Sequence, residues 1–168
     1  MPHPMVAQLR FTRSEWQRAL DGITDAEGRR RLEPMNCISW MIGHLAWQEQ
    51  LYWLKRARGQ LLVPELDDLV GYGRPASTPP LAEMWQAWQA ITNAADPYLD
   101  TLTTETLQNR MLVEGQPFRY NIGTMLQRVI YHYWFHIGEA LAIRQMLGQS
   151  DLPEFVGDIQ TQAPYHPE

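Results

Sequence analysis

Apolar side chains recur along this chain mainly at the spacing of an α-helix. From Met5 or Thr12 to Gly22, Leu9, Trp16 and Ile23 repeat every seven residues, with Val6 and Leu20 beside them, which predicts an amphipathic first helix. Thr24-Asp-Ala-Glu27 has the form of a capping box, but Gly28 and Pro34 limit the helix it would start to a short connector. A second long helix is predicted over Cys37–Arg58, with Asn36 as its N-cap, Ile38, Ile42, Leu45, Tyr52 and Trp53 on its apolar face, and Gly59 as its stop.

The pattern then changes. Gly71, Gly73, Pro75, Pro79 and Pro80 predict a long crossing loop over Gln60–Pro80, with Leu61–Val63 as a short extended piece. Ser77 or Thr78 is the expected cap of a third helix, buried through Leu81, Met84, Trp85, Trp88, Ile91, Ala95 and Tyr98 and kinked or interrupted at Pro97. Glu-Gly-Gln-Pro within Leu107–Tyr120 suits a turn or brief hairpin, and Asn121 is the plausible cap of a last helix over Ile122–Leu147. That helix would be roughly 39 Å long at 1.5 Å per residue. It closes at Gly148, ahead of a tail rich in proline and acidic residues that is expected to pack without regular structure. Long amphipathic helices without a convincing set of strands predict an all-α chain, a four-helix bundle forming a single domain over residues 1–168.

Composition adds exclusions. A chain of 168 residues, 45% of them hydrophobic, buries roughly two-thirds of its surface on folding, so a metal bound here is expected to be functional rather than structural. Cys37 is the only cysteine, which excludes an internal disulfide and a zinc-finger pattern and suits a reducing compartment. The segment from Met1 to Arg10 lacks the features of a signal peptide, and no stretch approaches the ~20 apolar residues of a membrane span, so a cytoplasmic protein without membrane association is expected. A net charge of -5, with positive residues scattered apart from Arg29-Arg30-Arg31, gives no footprint for nucleic acid. The arginine run could hold an anionic group, although a solvated loop or helix face is the favoured reading.

Candidate chemistry lies in the histidines. Of five, His3 and His166 fall near the chain ends, leaving His44, His132 and His136 inside predicted helices. His132 and His136 are four residues apart, on one helix face with Cβ atoms ~5–6 Å apart, a spacing that lets two imidazoles grip one ion. His44, between Ile42 and Leu45, should also point inward, so that the three could bind zinc, nickel, copper or iron with a position left for water or substrate. An HxxxH pair alone more often marks core histidines satisfied by hydrogen bonds. Each ligand would need a partner for its other ring nitrogen, for which Gln48, Glu49 and Glu139 are candidates. Cys37, in the first turn of its helix, could be a reactive thiolate but is more simply a packing residue. Trp40, Trp47 and Trp134 lie near the proposed ligands in sequence, and Gly71-Tyr72-Gly73-Arg74 could form a lid or a plain connection. No Ser-His-Asp order, phosphate loop or paired-carboxylate motif stands out.

Two segments resemble a known family. Asn36-Cys-Ile-Ser-Trp-Met-Ile-Gly-His44-Leu-Ala-Trp and His132-Tyr-Trp-Phe-His136-Ile-Gly-Glu-Ala-Leu-Ala-Ile-Arg-Gln-Met-Leu-Gly148 resemble the second and last helices of the DinB-like superfamily, also called DinB/YfiT-like. The resemblance implies an up-down-down-up bundle, frequent homodimers, and a divalent metal such as nickel or zinc held by His44, His132 and His136. It further implies a small-molecule substrate and, for some members, isomerase, transferase or hydrolase chemistry that uses a low-molecular-weight thiol. The alternative is a non-catalytic, stress-related binding or dimerisation protein of the same fold.

Overall fold

Helical periodicity carries through to the computed structural model, which describes residues 2–166; Met1, Pro167 and Glu168 of the expected 1–168 domain lie outside them. Along the chain run α1 (Pro4–Ala19), α2 (Asp25–Arg29), α3 (Ile38–Glu49) continued by a π-helical segment (Gln50–Arg56), α4 (Leu66–Val70), α5 (Leu81–Leu99) and α6 (Thr104–Gln108). A hairpin of β1 (Leu112–Val113) and β2 (Gln116–Pro117) precedes α7 (Ile122–Met146) and α8 (Ile159–Gln162). The structure is therefore predominantly helical, and among the described residues its sheet consists of the two strands of that hairpin. None of the described helices is long and apolar enough to cross a membrane.

The chain divides into two compact units, one holding the residues up to Asp21 and from Pro97 onward, the other Gly22–Asp96. In the first, α1 starts at Pro4, well before the alternative start at Thr12, because proline suits the first helical position and the His3 ring accepts a hydrogen bond from the Met5 amide at 3.1 Å. His3 is thus a helix cap. The core between α1 and α7 is aromatic, with Trp16 edge-on to Tyr133 at 6.4 Å and Phe11 tilted against Trp134 at 6.5 Å. The buried Arg144 guanidinium donates to the carbonyls of Ala19 and Asp21, satisfying acceptors that the end of α1 leaves open.

Asn121 caps α7 as expected, its side chain accepting from the Thr124 amide at 2.8 Å. The expected hairpin pairs Leu112 with Pro117 and Val113 with Gln116, turning through Glu114 (φ 53°) and Gly115 (φ 76°), two successive left-handed residues of the kind that tight hairpin turns use. Just before it, α6 is a short helix that the periodicity missed; Thr103 and Thr106 cap it reciprocally. The tail also differs from expectation, since Asp158 caps the short α8. The tail is tied to α1 where Gly157 N–H donates to Glu15 at 2.7 Å and Gln8 donates to the Ala163 carbonyl at 2.7 Å.

In the second unit the Thr24–Glu27 capping box is present in full and starts α2. The N-cap of α3 is Cys37 rather than Asn36, without a side-chain cap bond. The helix passes into the π-helical segment and stops at Gly59, which takes φ 66° while Gln60 N–H closes on the Leu54 carbonyl at 3.1 Å. Leu61–Val63 does not form a strand. The buried Gln50 side chain holds it instead, accepting from the amides of Leu62 (2.8 Å) and Val63 (2.7 Å) and donating to the Val63 carbonyl (2.9 Å).

Inside the expected loop lies α4, whose Leu66 and Val70 are fully buried. Ser77 does not cap α5; its hydroxyl donates to the Leu69 carbonyl at 2.7 Å, and the first amide of α5, that of Leu81, is taken by the Asp25 carboxylate at 2.9 Å. Pro97 falls inside α5, which continues to Leu99.

Candidate metal centre

On α7, residues four apart stack one above the other. His132 and His136 place their Nε2 atoms 3.0 Å apart, with ring centroids at 4.6 Å. His136 is buried and His132 half-buried. On the far side of the His136 ring, Nδ1 lies 2.7 Å from the carboxylate of Glu139. A carboxylate accepts, so the His136 proton sits on Nδ1 and the Nε2 lone pair faces His132. Of the three candidate supports named from the sequence, Glu139 fills that role.

The pair fits a metal. With metal–nitrogen bonds of ~2.0–2.1 Å, Nε2 atoms this far apart subtend roughly 95° at a shared ion, an angle that coordination accommodates. The same gap is a hydrogen bond when His132 carries its proton on Nε2. His132 and His136 can therefore exchange an N–H···N contact for a shared cation with almost no movement of α7.

His44 belongs to the other unit and is buried on α3. Its Nδ1 lies 2.7 Å from the carbonyl oxygen of Val70, the last residue of α4. A carbonyl only accepts, so neutral His44 carries its proton on Nδ1 and its lone pair on Nε2, the arrangement of a metal-ligating histidine. The contact at Nδ1 comes from a backbone carbonyl in a segment expected to be irregular. Both faces of the ring are covered by residues one turn away, Trp40 at 4.4 Å and 15° and Trp47 at 5.2 Å and 20°. The Trp40 indole N–H is buried without a hydrogen-bond partner among the described residues, leaving a donor for a polar ligand beside His44.

The close approach of α4 depends on Gly43. A Cβ there would stand 2.4 Å from Met84 Sδ and 3.2 Å from Val70 Cγ2, so glycine lets the Val70 segment come this near without displacing either side chain. At the end of α4, a Cβ on Gly71 would fall 2.2 Å from the Asp67 carbonyl oxygen, which excludes any larger residue. Trp47 is anchored in turn, its indole N–H donating to Asp67 Oδ1 at 2.8 Å. That hydrogen bond is the largest cause holding the Asp67 carboxyl below its ordinary pKa, with nearby Arg74 acting in the same direction.

The 133-residue stretch 8–140 matches the family model of the DinB superfamily and includes all three candidate histidines. The chain belongs to the DinB superfamily. No curated protein matches it. For a DinB superfamily member the remaining sequence candidates take structural places. Cys37 is fully buried with Sγ 3.3 Å from Ser39 Oγ, as a packing residue. Arg29 donates to the Thr78 carbonyl just before α5 and Arg31 to the nearby Met35 carbonyl, which ties both to backbone. In the Gly71–Arg74 segment, Tyr72 is exposed and Arg74 pairs with Asp68 at 2.6 Å and Asp67 at 3.4 Å, bracing α4. Trp134 packs against Phe11.

Proposed function

We propose that this DinB superfamily member is a metal-dependent enzyme in which His44 joins His132 and His136 around one divalent transition ion, nickel or zinc. The observation that carries the reading is the 3.0 Å approach of the His132 and His136 Nε2 atoms with Glu139 behind the pair. His44 is supported as third ligand by its Val70-fixed tautomer, which directs the lone pair to Nε2. The family match and the four long helices support the up-down-down-up bundle. An ion held by His44, His132 and His136 would lower the pKa of a water or low-molecular-weight thiol and so supply a nucleophile for a small electrophilic substrate in a transferase or hydrolase reaction. The Trp40 N–H supplies a donor for that ligand or substrate.

The same reading takes the protein as cytoplasmic, which suits a free cysteine, and as a homodimer. The homodimer is supported by a stripe on α7 where Tyr131, Phe135 and Met146 are exposed at 65%, 60% and 57%, interrupted by Gly138, around which a Cβ would meet nothing.

Elemental analysis of untagged protein, set beside a His44, His132, His136 triple-alanine variant, tests the site. About one equivalent of transition metal in the native chain and none in the variant is expected. No metal in either after reconstitution would favour the non-catalytic binding protein instead.

A further inference from the structure

We propose that Asp67 is a positioning residue for His44, acting through Trp47. The geometry runs through a single short helix. Asp67 and Val70 lie three residues apart on α4; Val70 holds the edge of the His44 ring at 2.7 Å, and Asp67 holds, at 2.8 Å, the indole that covers one of its faces. Two fixings on one ring, edge and face, define its plane, and both come from the same five residues. A helix of five residues does not persist on its own. Here it is held from both ends of its contact with α3: Leu66 and Val70 are fully buried, Gly43 lets Val70 approach, and Ser77 and Arg74 tie the exit through the Leu69 and Asp67 carbonyls at 2.7 and 3.1 Å.

Asp67 itself makes little packing contribution, its side chain being 65% exposed. Its contact with Trp47 is therefore better explained by orientation than by burial. Without the acceptor at Oδ1, the half-buried Trp47 ring can leave His44 for solvent, and the imidazole loses the cover on one face. Groups that orient a metal-ligating histidine from outside the coordination shell change metal affinity ~10–100-fold when removed. Asp67 acts one residue further out, so the lower end applies.

This role rests on His44 being a ligand, and the experiment separates the two. Zinc affinity, by competition with a chromophoric chelator, and the visible spectrum of the cobalt-substituted protein are measured for Asp67→Ala, Asp67→Asn, Trp47→Phe and His44→Ala, with circular dichroism to establish folding. Asp67→Ala is expected to weaken zinc binding ~10-fold and to shift the cobalt bands. Trp47→Phe, which keeps a ring but loses the N–H anchor, should behave alike. Asp67→Asn keeps an acceptor oxygen and should stay within ~2-fold of the native chain, because the effect is one of position rather than charge. Native affinity and spectrum in Asp67→Ala, with His44→Ala impaired, overturn the positioning role alone. A loss in Asp67→Asn equal to that in Asp67→Ala overturns it in favour of carboxylate charge. Unchanged metal binding in His44→Ala overturns the three-histidine reading and this role with it.

Discussion

Glu139 Oε2 stands 2.7 Å from Nδ1 of His136, one turn along the same helix. The contact selects the tautomer that aims the His136 lone pair at the gap shared with His132, and it fixes the orientation of the ring. Glu139→Ala is therefore expected to weaken metal binding ~10–100-fold, whereas Glu139→Gln, which keeps an acceptor, should lose less. Competitive chelator titration measures both, and equal affinities for alanine and wild type would remove Glu139 from the site.

Removing His132 should abolish stoichiometric metal binding while leaving helix content nearly unchanged. The core of its own unit, led by Trp16 and Tyr133, and that of the other, led by Trp53 and Ile42, are each built from fully buried side chains and need no ion to persist. Elemental analysis and circular dichroism of His132→Ala check the two halves of the expectation. Metal at the native level would take His132 out of the ligand set, and a collapse of helicity would make the site structural.

The contrast between α7 and α4 shows what the sequence makes legible. Leu126, Val129, Tyr133, Ile137 and Ala140 recur along α7 at helical spacing, so local pattern and burial agree, and the His132–His136 pair comes directly from that periodicity. The Glu139 contact is legible for the same reason, since residues three apart on a helix are neighbours. By contrast, α4 has five residues between Pro64 and Gly71, too few to establish a period, and its formation depends on burial of Leu66 and Val70 in tertiary contacts. The partner of His44 is a backbone carbonyl, which carries no residue-type signal. Two features do point there: Gly43 interrupting an apolar helix beside His44, and Trp40 and Trp47 at helical spacing around the histidine. Gly43 becomes interpretable only once Val70 is seen against it.

Gly43→Ala should accordingly damage the site as well as the fold. Met84 can swing its flexible end away from the new Cβ, but the Val70 methyl groups at 3.2 and 3.3 Å must give by a few tenths of an ångström, and the α4 backbone is expected to shift with them. Overpacking of this kind costs ~1–3 kcal/mol, and in a chain of this size each kcal/mol lowers Tm by roughly 2–4 °C. The Val70 carbonyl moves from His44 by the same displacement, so metal affinity should fall too. Calorimetry and metal titration of Gly43→Ala test the link; a lowered Tm with native affinity would mean that the carbonyl follows His44 independently of α4.

The anchoring of the tail predicts an acid-sensitive contribution to stability. Glu15 is 3% exposed; its carboxylate accepts from Arg18 at 2.9 and 2.6 Å and from the Gly157 amide at 2.7 Å. Burial opposes the charged form, but the Arg18 hydrogen bonds, the Gly157 donor and the Arg18 charge outweigh it and hold the carboxyl below its ordinary value of 4.5. A folded-state pKa below the unfolded one means that the unfolded chain binds more protons between the two, so this stabilisation is complete above 4.5 and is lost as pH falls through the folded value. In Glu15→Gln the charge is gone at every pH. The variant should be less stable near neutrality by about 1–3 kcal/mol, and its stability should fall less steeply than the native chain's as pH drops below 4.5. Urea titrations of both proteins across the acid range measure this directly, and parallel pH profiles would show that the contact between Glu15 and Gly157 contributes no ionisation-linked stability.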